Sequence, residues 1–144
     1  MKNTLAIEVR WSDLDPNVHV RHSVYYDWGA QSRIRFFNDH NVPTTLLQKL
    51  QVGPILFREE CVFKREVRLG DLVTVDLEMV KSRRDYSRWT MRHSITKNRD
   101  TLAAIITVDA AWLDIVQRKL VIPPKEVADA VSLMTLAGDF EWTE

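Results

Sequence analysis

Two stretches decide the fold: residues 72–79, which read LVTVDLEM, and residues 88–95, which read RWTMRHSI. In both, hydrophobic residues alternate with polar ones, as in strands that bury one face. A turn near Arg83–Asp85 separates them, and Asn98-Arg99-Asp100 marks another turn before an apolar run from Leu102 to Leu113. Because short turns join antiparallel neighbours, these segments predict an antiparallel sheet whose last strand is central.

Two further strands are predicted upstream. The segment from Leu5 to Trp11 alternates and predicts the first strand. Pro54 begins a second strand that runs to about Val67, and Gly70-Asp71 form the turn that follows it.

A long helix is predicted between these two strands. Ser23 is a suitable N-cap, and the helix runs to about His40. A second, short helix is expected from Thr44 to Gln51, and a third from Lys125 to Val131. The long helix is expected to bury a stripe at helical spacing. Its members are Tyr26, Ala30, Ile34 and Phe37.

The element order is therefore strand, long helix and four strands, which is an α+β pattern. One long helix must bury its stripe on the sheet, so we expect a curved antiparallel sheet of about five strands wrapped around it. No linker or repeat divides the chain, and residues 1–144 are predicted to form one domain with a loose, acidic end from about residue 132. Open sheet edges favour a homodimer at least, and a homotetramer is left open.

Composition excludes several classes of protein. The 144 residues hold 20 Lys plus Arg and 20 Asp plus Glu, so the net charge is zero and the domain is not a basic nucleic-acid binder. Hydrophobic residues make up 45% of the chain, enough for a core. The single cysteine, Cys61, allows no internal disulfide and favours a reducing compartment. Glu8 and Arg10 interrupt the first apolar segment, so we expect no signal peptide. The sequence has no run of about 18 apolar residues, so we expect no membrane-spanning helix and a cytoplasmic protein.

The residues suited to chemistry lie between the first strand and the long helix. Residues 11–25 read WSDLDPNVHVRHSVY, with an aromatic residue, an Asp-x-Asp pair, His-Val and a tyrosine inside the helix. This pattern resembles the 4-hydroxybenzoyl-CoA-thioesterase-like branch of the hotdog-fold acyl-CoA thioesterases. The resemblance continues at residues 53–56 (GPIL), 67–71 (VRLGD) and Arg83-Arg84, and it covers roughly residues 5 to 130. Family members often have Asn-Asn after His-Val, whereas this chain has Arg21-His22.

The resemblance implies the hotdog fold and the hydrolysis of an acyl-CoA thioester to a carboxylic acid and free coenzyme A. It implies that Asp15 acts as nucleophile or general base. It places the oxyanion donor in the backbone of Gly53, Pro54 and Ile55, supplied by the other subunit of a dimer. A thioester is already activated, so a positioned carboxylate and one donor are chemically sufficient. The alternative is a non-catalytic acyl-CoA or lipid-binding module on the same fold.

Four other residues also have expected roles, and two of them have alternative interpretations. His19 is a candidate proton shuttle or a buried, hydrogen-bonded histidine. Tyr25 is a candidate catalytic residue or a packing residue whose hydroxyl finds a partner. Asp13 is expected to orient the loop. Cys61 lies in an apolar row with Phe57 and Phe63 and is expected to be a core residue.

A basic segment adds an independent signal. Residues 81–99 hold seven Lys and Arg but a single acidic residue, Asp85. Arg83, Arg84 and Arg88 are candidate ligands for the phosphates of coenzyme A, since guanidinium groups match phosphate oxygens, although a solvated surface is the commoner reason for such a run. No nucleic-acid or membrane partner is expected. Residues 13–24 lack the Gly and Glu of a calcium loop, so neither a metal nor a cofactor is expected.

Overall fold

The computed structural model describes residues 3–144. A mainly antiparallel sheet curls around one long helix, which confirms the predicted hotdog architecture. In chain order the elements are β1 (Asn3–Ile7), α1 (His22–Asp39), α2 (Thr44–Leu50), β2 (Val52–Phe63), β3 (Val73–Arg83), β4 (Arg88–Lys97), β5 (Thr101–Asp114), β6 (Lys119–Leu120), α3 (Lys125–Val131) and β7 (Leu136–Thr143). The sheet has seven strands: the five expected ones follow the order β1-β3-β4-β5-β2, and β6 and β7 pair with β5 and β3.

The core lies between α1 and the inner face of the sheet. The alternation predicted for β3 and β4 is confirmed, because the hydrophobic member of each pair is buried. In β5 nearly every residue on both faces is shielded, as expected for a central strand. The fully buried side chains include Leu77, Met79, Met91, Ile95, Ile106 and Trp112.

The first strand is shorter than predicted. It ends at Ile7, and Trp11–Asp13 form a 3-10 turn in which the Trp11 side chain is 78% exposed. The cause is Asp13, whose carboxylate accepts the backbone N–H of Arg10 at 2.9 Å and the Arg10 guanidinium at 2.7 Å. These bonds close the chain into a turn where hydrophobic alternation alone predicted a strand.

The buried face of α1 is not the predicted stripe. Ala30 and Ile34 are exposed, and Tyr26 is only half-buried. The face toward the sheet includes the polar residues Ser32 and Arg33, which a hydrophobic pattern does not detect. Its buried members are Val24, Tyr25, Trp28, Gly29, Ser32, Arg33, Phe36 and Phe37.

The end of the chain is not loose over residues 136–143, contrary to the expectation. These residues form β7, which pairs in parallel with β3 from Met79↔Leu136 to Arg83↔Thr143. Ion pairs hold the strand, since Asp139 binds Arg92 at 2.9 Å and Glu141 lies 3.4 Å from Lys81. Residues that look like a solvated acidic tail therefore neutralise basic residues of the sheet.

Strand β2 occupies one edge of the sheet and contains a bulge. Its register against β5 shifts between Leu56 and Arg58, and this shift changes the phase of the strand at Phe57. Phe57 packs against Arg88 instead of continuing the row of Cys61. The strand ends at Phe63, earlier than predicted, and Leu56, Phe57, Val62 and Phe63 are 41–50% exposed. Within residues 3–144, no helix is long and apolar enough to cross a membrane.

Candidate functional site

A tight loop between β1 and α1 carries Asp15 and His19. The backbone N–H of Asp15 donates to the His19 carbonyl at 2.9 Å, and that of Val18 donates to the Asp15 carbonyl at 2.9 Å. Val18 has a φ of 65°, in the left-handed region that is unfavourable for a β-branched residue. An isolated bridge between Leu14 and Val20 closes the loop. The loop conformation therefore brings the Asp15 and His19 side chains together.

The Asp15 carboxylate is held in place but remains accessible. Its Oδ1 accepts the backbone N–H of Asn17 at 2.9 Å and, more weakly, that of His19 at 3.4 Å. Its Oδ2 lies 3.2 Å from Nδ1 of His19, and 22% of the side chain is exposed. A carboxylate with Oδ1 fixed by backbone donors and Oδ2 beside a histidine side chain is suited to accept a proton from water or to attack a carbonyl carbon.

His19 lies between two carboxylates. Its Nε2 is 4.0 Å from Oε2 of Glu66, and its Nδ1 is also 3.3 Å from the Val20 carbonyl. The side-chain hydrogen bond from Arg68 holds the pKa of Glu66 below its usual range. With 31% of its side chain exposed, His19 is hydrogen-bonded without being fully buried, so both predicted roles remain compatible with its position.

Tyr25 forms the floor of the same region. It is 2% exposed, and its ring packs edge-on against Phe63 at 5.0 Å and in a tilted arrangement against Trp28 at 5.3 Å. Burial raises the pKa of its phenol, although a backbone hydrogen bond with Val67 opposes the shift. A neutral hydroxyl in a packed ring can position a substrate, but it is poorly suited to serve as a base.

These residues line a cleft of about 400 Å³. Sequence reasoning missed part of its wall, because it assigned residues 64–67 to a strand. In the structure these residues follow the end of β2, and the Val67 carbonyl accepts the N–H of Val20, just before α1, at 2.8 Å. Two cationic side chains and one anionic side chain of this segment line the cleft. The lining comprises Asp15, His19, Val20, His22, Tyr25, Phe63, Lys64, Arg65 and Glu66.

Asp13 supports this loop from within the protein. It is 1% exposed, and its backbone carbonyl accepts the N–H of Arg21 at 2.9 Å, at the start of α1. The hydrogen bond from the Arg10 side chain keeps the pKa of Asp13 below its usual value. Asp13 therefore links the chain that follows β1 to the start of α1, and Asp15 lies in the segment between these two elements.

The structure places Gly53, Pro54 and Ile55 far from Asp15 within one chain. They lie in β2 opposite Leu113, Trp112 and Ala111 of β5. Phe63, the β2 residue in the cleft, lies opposite Ala104. Ten residues of extended chain span about 33 Å, so the two groups occupy opposite ends of the strand. One chain alone does not bring the predicted oxyanion donors to the cleft.

Arg83, Arg84 and Arg88 lie at that same distant end. Arg88 lies opposite Ala111, which also pairs with Ile55. Aromatic rings hold two of the guanidinium groups: Arg84 is 5.3 Å from the centre of the Trp142 ring, and Arg88 is 4.6 Å from that of Phe57. The predicted site residues thus form two groups at opposite ends of the sheet, with Asp15, His19 and Tyr25 in one and the remainder in the other.

A family model described as the thioesterase-like superfamily matches residues 9–131. The chain belongs to the thioesterase-like superfamily. The match includes both groups of predicted residues and confirms the family and enzyme class expected from the loop motif. No curated protein sequence matches this thioesterase-like chain.

Solved structures share the fold of this thioesterase-like protein. A Staphylococcus aureus protein in complex with CoA is 21% identical, with a TM-score of 0.82, and the alignment covers 95% of this chain and 88% of that one. A 1,4-dihydroxy-2-naphthoyl-CoA thioesterase from Synechocystis is 14% identical, with a TM-score of 0.82 and coverage of 92% and 97%. A Thermus thermophilus thioesterase complexed with coenzyme A and zinc is 26% identical, with a TM-score of 0.73 and coverage of 89% and 90%.

Two further titratable groups of this thioesterase-like protein, Cys61 and Glu59 of β2, have raised pKa values. Burial raises the pKa of the half-buried Cys61 thiol to about 11, so it is not an activated nucleophile. Glu59 lies 3.8 Å from Arg33, and burial raises the pKa of its carboxyl group. Across residues 3–144, no three His, Cys, Asp or Glu side chains are grouped as metal ligands would be.

Proposed function

We propose that this protein hydrolyses an acyl-CoA thioester to a carboxylic acid and free coenzyme A, and that Asp15 is its catalytic carboxylate. The observation that carries the proposal is the position of Asp15, fixed by backbone N–H groups at the edge of a cleft with an apolar floor. Coenzyme A is bound to the S. aureus protein of the same fold, and the Synechocystis protein is a thioesterase.

The geometry supports two routes for Asp15. As a general base, its Oδ2 takes a proton from water while the hydroxide attacks the thioester carbonyl. As a nucleophile, the carboxylate attacks that carbon itself, forms a mixed anhydride and is released by water. In both routes the C–S bond breaks, the thiolate leaves, and a proton returns to the sulfur of coenzyme A. His19, whose Nδ1 lies 3.2 Å from Asp15, is the group placed to relay that proton.

We further propose that the working unit is a homodimer joined along β2. The strand has one edge unpaired within residues 3–144, and several exposed apolar side chains lie along it. A twofold axis between two antiparallel β2 strands would bring the Gly53 end of one beside the Phe63 end of the other. The backbone N–H of Gly53 or of Ile55 in the partner would then polarise the carbonyl of a thioester held near Asp15, whereas Pro54 between them has no N–H to donate. A reduced, cytoplasmic setting fits the single free thiol of Cys61.

Free-thiol release from a panel of acyl-CoAs tests the reaction. The panel contains acetyl, hexanoyl, palmitoyl, benzoyl and 4-hydroxybenzoyl thioesters. We expect rapid release from at least one member and, for Asp15→Asn, a turnover lower by about a hundredfold or more. Asp100→Asn, at an exposed turn, is the matched control and should retain activity.

Three results would contradict parts of this proposal. Full activity in a folded Asp15→Asn variant would remove Asp15 from the mechanism. Tight binding of a thioester by calorimetry without any release would assign the protein to the non-catalytic binding class. Label in the Asp15 carboxylate after a single turnover in water labelled with heavy oxygen would establish the nucleophilic route, because a general base does not exchange its own oxygens. Trapping of the mixed anhydride with hydroxylamine tests the nucleophilic route in which water attacks the acyl carbon and the label enters only the product.

A further inference from the structure

The segment that follows β2 is held in place by its backbone on one wall of the Asp15 cleft. The N–H groups of Lys64 and Arg65 both donate to the Ala103 carbonyl of β5, at 2.8 and 3.0 Å. The Val67 carbonyl accepts the N–H of Val20 at 2.8 Å. The side chains of this segment are therefore presented to the cleft by a backbone that is ordered before a ligand binds, which lowers the entropic cost of binding.

Lys64 and Arg65 are two cations without an anionic partner. Both are exposed, and both line the cleft that contains Asp15. Within residues 3–144, no carboxylate oxygen lies within 4.0 Å of either cationic group. Nη1 of Arg65 donates to the Lys64 carbonyl at 2.7 Å, which leaves the remaining N–H groups of the guanidinium for a ligand. The two side chains are therefore available to bind an anion.

The two carboxylates of the cleft are engaged by other groups. Oδ1 of Asp15 accepts the backbone N–H of Asn17 at 2.9 Å, and Oδ2 lies 3.2 Å from Nδ1 of His19. The Glu66 carboxylate accepts Nε of Arg68 at 3.0 Å. The uncompensated charge in the cleft is therefore positive, and it belongs to the two unpaired cations.

The same cleft has an apolar floor. Val20, Tyr25 and Phe63 line it, and the Phe63 ring, which packs edge-on against Tyr25 at 5.0 Å, remains 50% exposed. The apolar body of a ligand can bury its surface on these rings. The phosphates of coenzyme A are separated from its sulfur by the pantetheine arm. An anion that shares a cleft of about 400 Å³ with a thioester held at Asp15 therefore belongs to the acyl group.

We propose that the acyl group hydrolysed by this protein carries a second, ionised carboxylate at the end of an apolar body, and that Lys64 and Arg65 bind this carboxylate. The inference rests on the proposed function, because it names the substrate class of the same site. The body of the acyl group, a short aliphatic chain or an aromatic ring, lies on Tyr25 and Phe63. The planar fork of Arg65 matches the two carboxylate oxygens, and Lys64 adds a point charge.

The first experiment compares acyl-CoA thioesters that differ only in the terminal charge. Adipyl-CoA and its terminal amide share an aliphatic chain, and 4-carboxybenzoyl-CoA and its amide share an aromatic ring. For the wild type we expect kcat/KM to be about tenfold higher for the acid than for the amide in at least one pair, since each partly exposed ion pair contributes modestly. The pair with the larger ratio identifies the body. Equal values within both pairs would overturn the inference.

Neutral variants test the two cations directly. Lys64→Gln/Arg65→Gln should bring the ratio of acid to amide close to unity through a loss on the acid. The exchange Lys64→Arg/Arg65→Lys keeps both charges and should retain most of the ratio, which a loss of folding would not allow. Arg35→Gln/Lys125→Gln removes two exposed cations outside the cleft and is the matched control for net charge.

Two results with the neutral variant would contradict the assignment of the cations. Equal losses of kcat/KM on acid and amide would show that Lys64 and Arg65 bind a part common to both substrates, such as coenzyme A itself. An acid-to-amide ratio that stays at the wild-type value would show that another group reads the charge. Either result would overturn the inference.

Calorimetry separates this inference from the proposed function. Thioether analogues of adipyl-CoA and of its amide, in which a CH₂ group replaces the thioester carbonyl, cannot be hydrolysed. We expect the wild type to bind the acid about tenfold more tightly than the amide, and Lys64→Gln/Arg65→Gln to bind them equally. The same result in a protein inactive on every thioester would refute the proposed hydrolysis but keep the anion site. Hydrolysis of neutral thioesters together with equal affinity for the two thioethers would keep the proposed function and overturn this inference.

Discussion

Nη1 of Arg33 in α1 lies 2.9 Å from Nε2 of His93 in β4, and both side chains are buried. Because a guanidinium can only donate, Nε2 must accept, and the proton of the neutral ring belongs on Nδ1. The Nδ1–H group of His93 donates to the Asp76 carbonyl at 3.2 Å. The hydrogen bonds of this pair therefore define one tautomer of a neutral histidine within the core.

This arrangement predicts an acid-sensitive fold. Burial, and then the charge of Arg33, lowers the pKa of His93 from 6.5 to about 3. Between about pH 3 and 6.5 the unfolded chain binds a proton at His93 that the folded chain does not. The contribution of neutral His93 to folding stability is therefore fully present above about pH 6.5 and decreases as the pH falls. We expect a loss of about 1 kcal/mol from this residue between pH 7 and 5.5.

Urea unfolding at a series of pH values measures this loss. His93→Gln is the matched variant, because its amide can accept from Arg33 and donate to Asp76 without titrating. Its stability should vary less over the same range. An identical pH dependence in the two proteins would show that His93 does not contribute.

Gly29 allows α1 to pack closely against the sheet beside His93 and Ile106. A Cβ added at Gly29 would lie 3.2 Å from Cδ2 of His93 and 3.4 Å from Cδ1 of Ile106, and both neighbours are buried. We therefore expect Gly29→Val to lower the free energy of unfolding by about 2 kcal/mol through overpacking. Gln31→Val, at an exposed position of the same helix, carries the same branched side chain without the contact. Chemical denaturation of both variants tests this, and equal stabilities would contradict the packing argument.

The exposed edge of β2 is predicted to mediate dimerisation. A lysine at Val62, which is 45% exposed on this edge, should disfavour pairing with a second copy. Because the twofold axis repeats the change, we expect the dimer dissociation constant to rise by about tenfold. Sedimentation velocity over a range of concentrations measures it, with Leu133→Lys as a control at an exposed residue after α3. A wild-type protein that is monomeric and fully active would refute the proposed dimer.

Several features could be predicted from the sequence because they depend on neighbours along the chain. The alternation at residues 73–79 and 88–95 identified two strands and their buried faces. The family resemblance of residues 11–25 singled out Asp15, His19 and Tyr25, and these three line one cleft because a short loop and the first turn of a helix keep them close. Pro124 before Lys125 correctly marked the start of α3.

Other features depended on partners distant in sequence. The wrong stripe was assigned to α1 because Arg33 is buried only through its contacts with His93 and Glu59, which lie on two different strands. The bulge at Phe57 changes the phase of β2, and no local pattern revealed it. The acidic end appeared loose because its stabilising partner, Arg92, belongs to β4.

The sequence by itself determined the strands, the long helix and the loop carrying Asp15, because hydrophobic periodicity and turn chemistry act over a few residues. Only the tertiary structure decided which of the candidate residues share a site. The register of β2 against β5 places Gly53 and Phe63 at opposite ends of the sheet, and the parallel pairing of β7 with β3 brings Trp142 beneath Arg84. Such relationships arise from hydrogen bonds and packing between distant segments, and local sequence patterns carry little information about them.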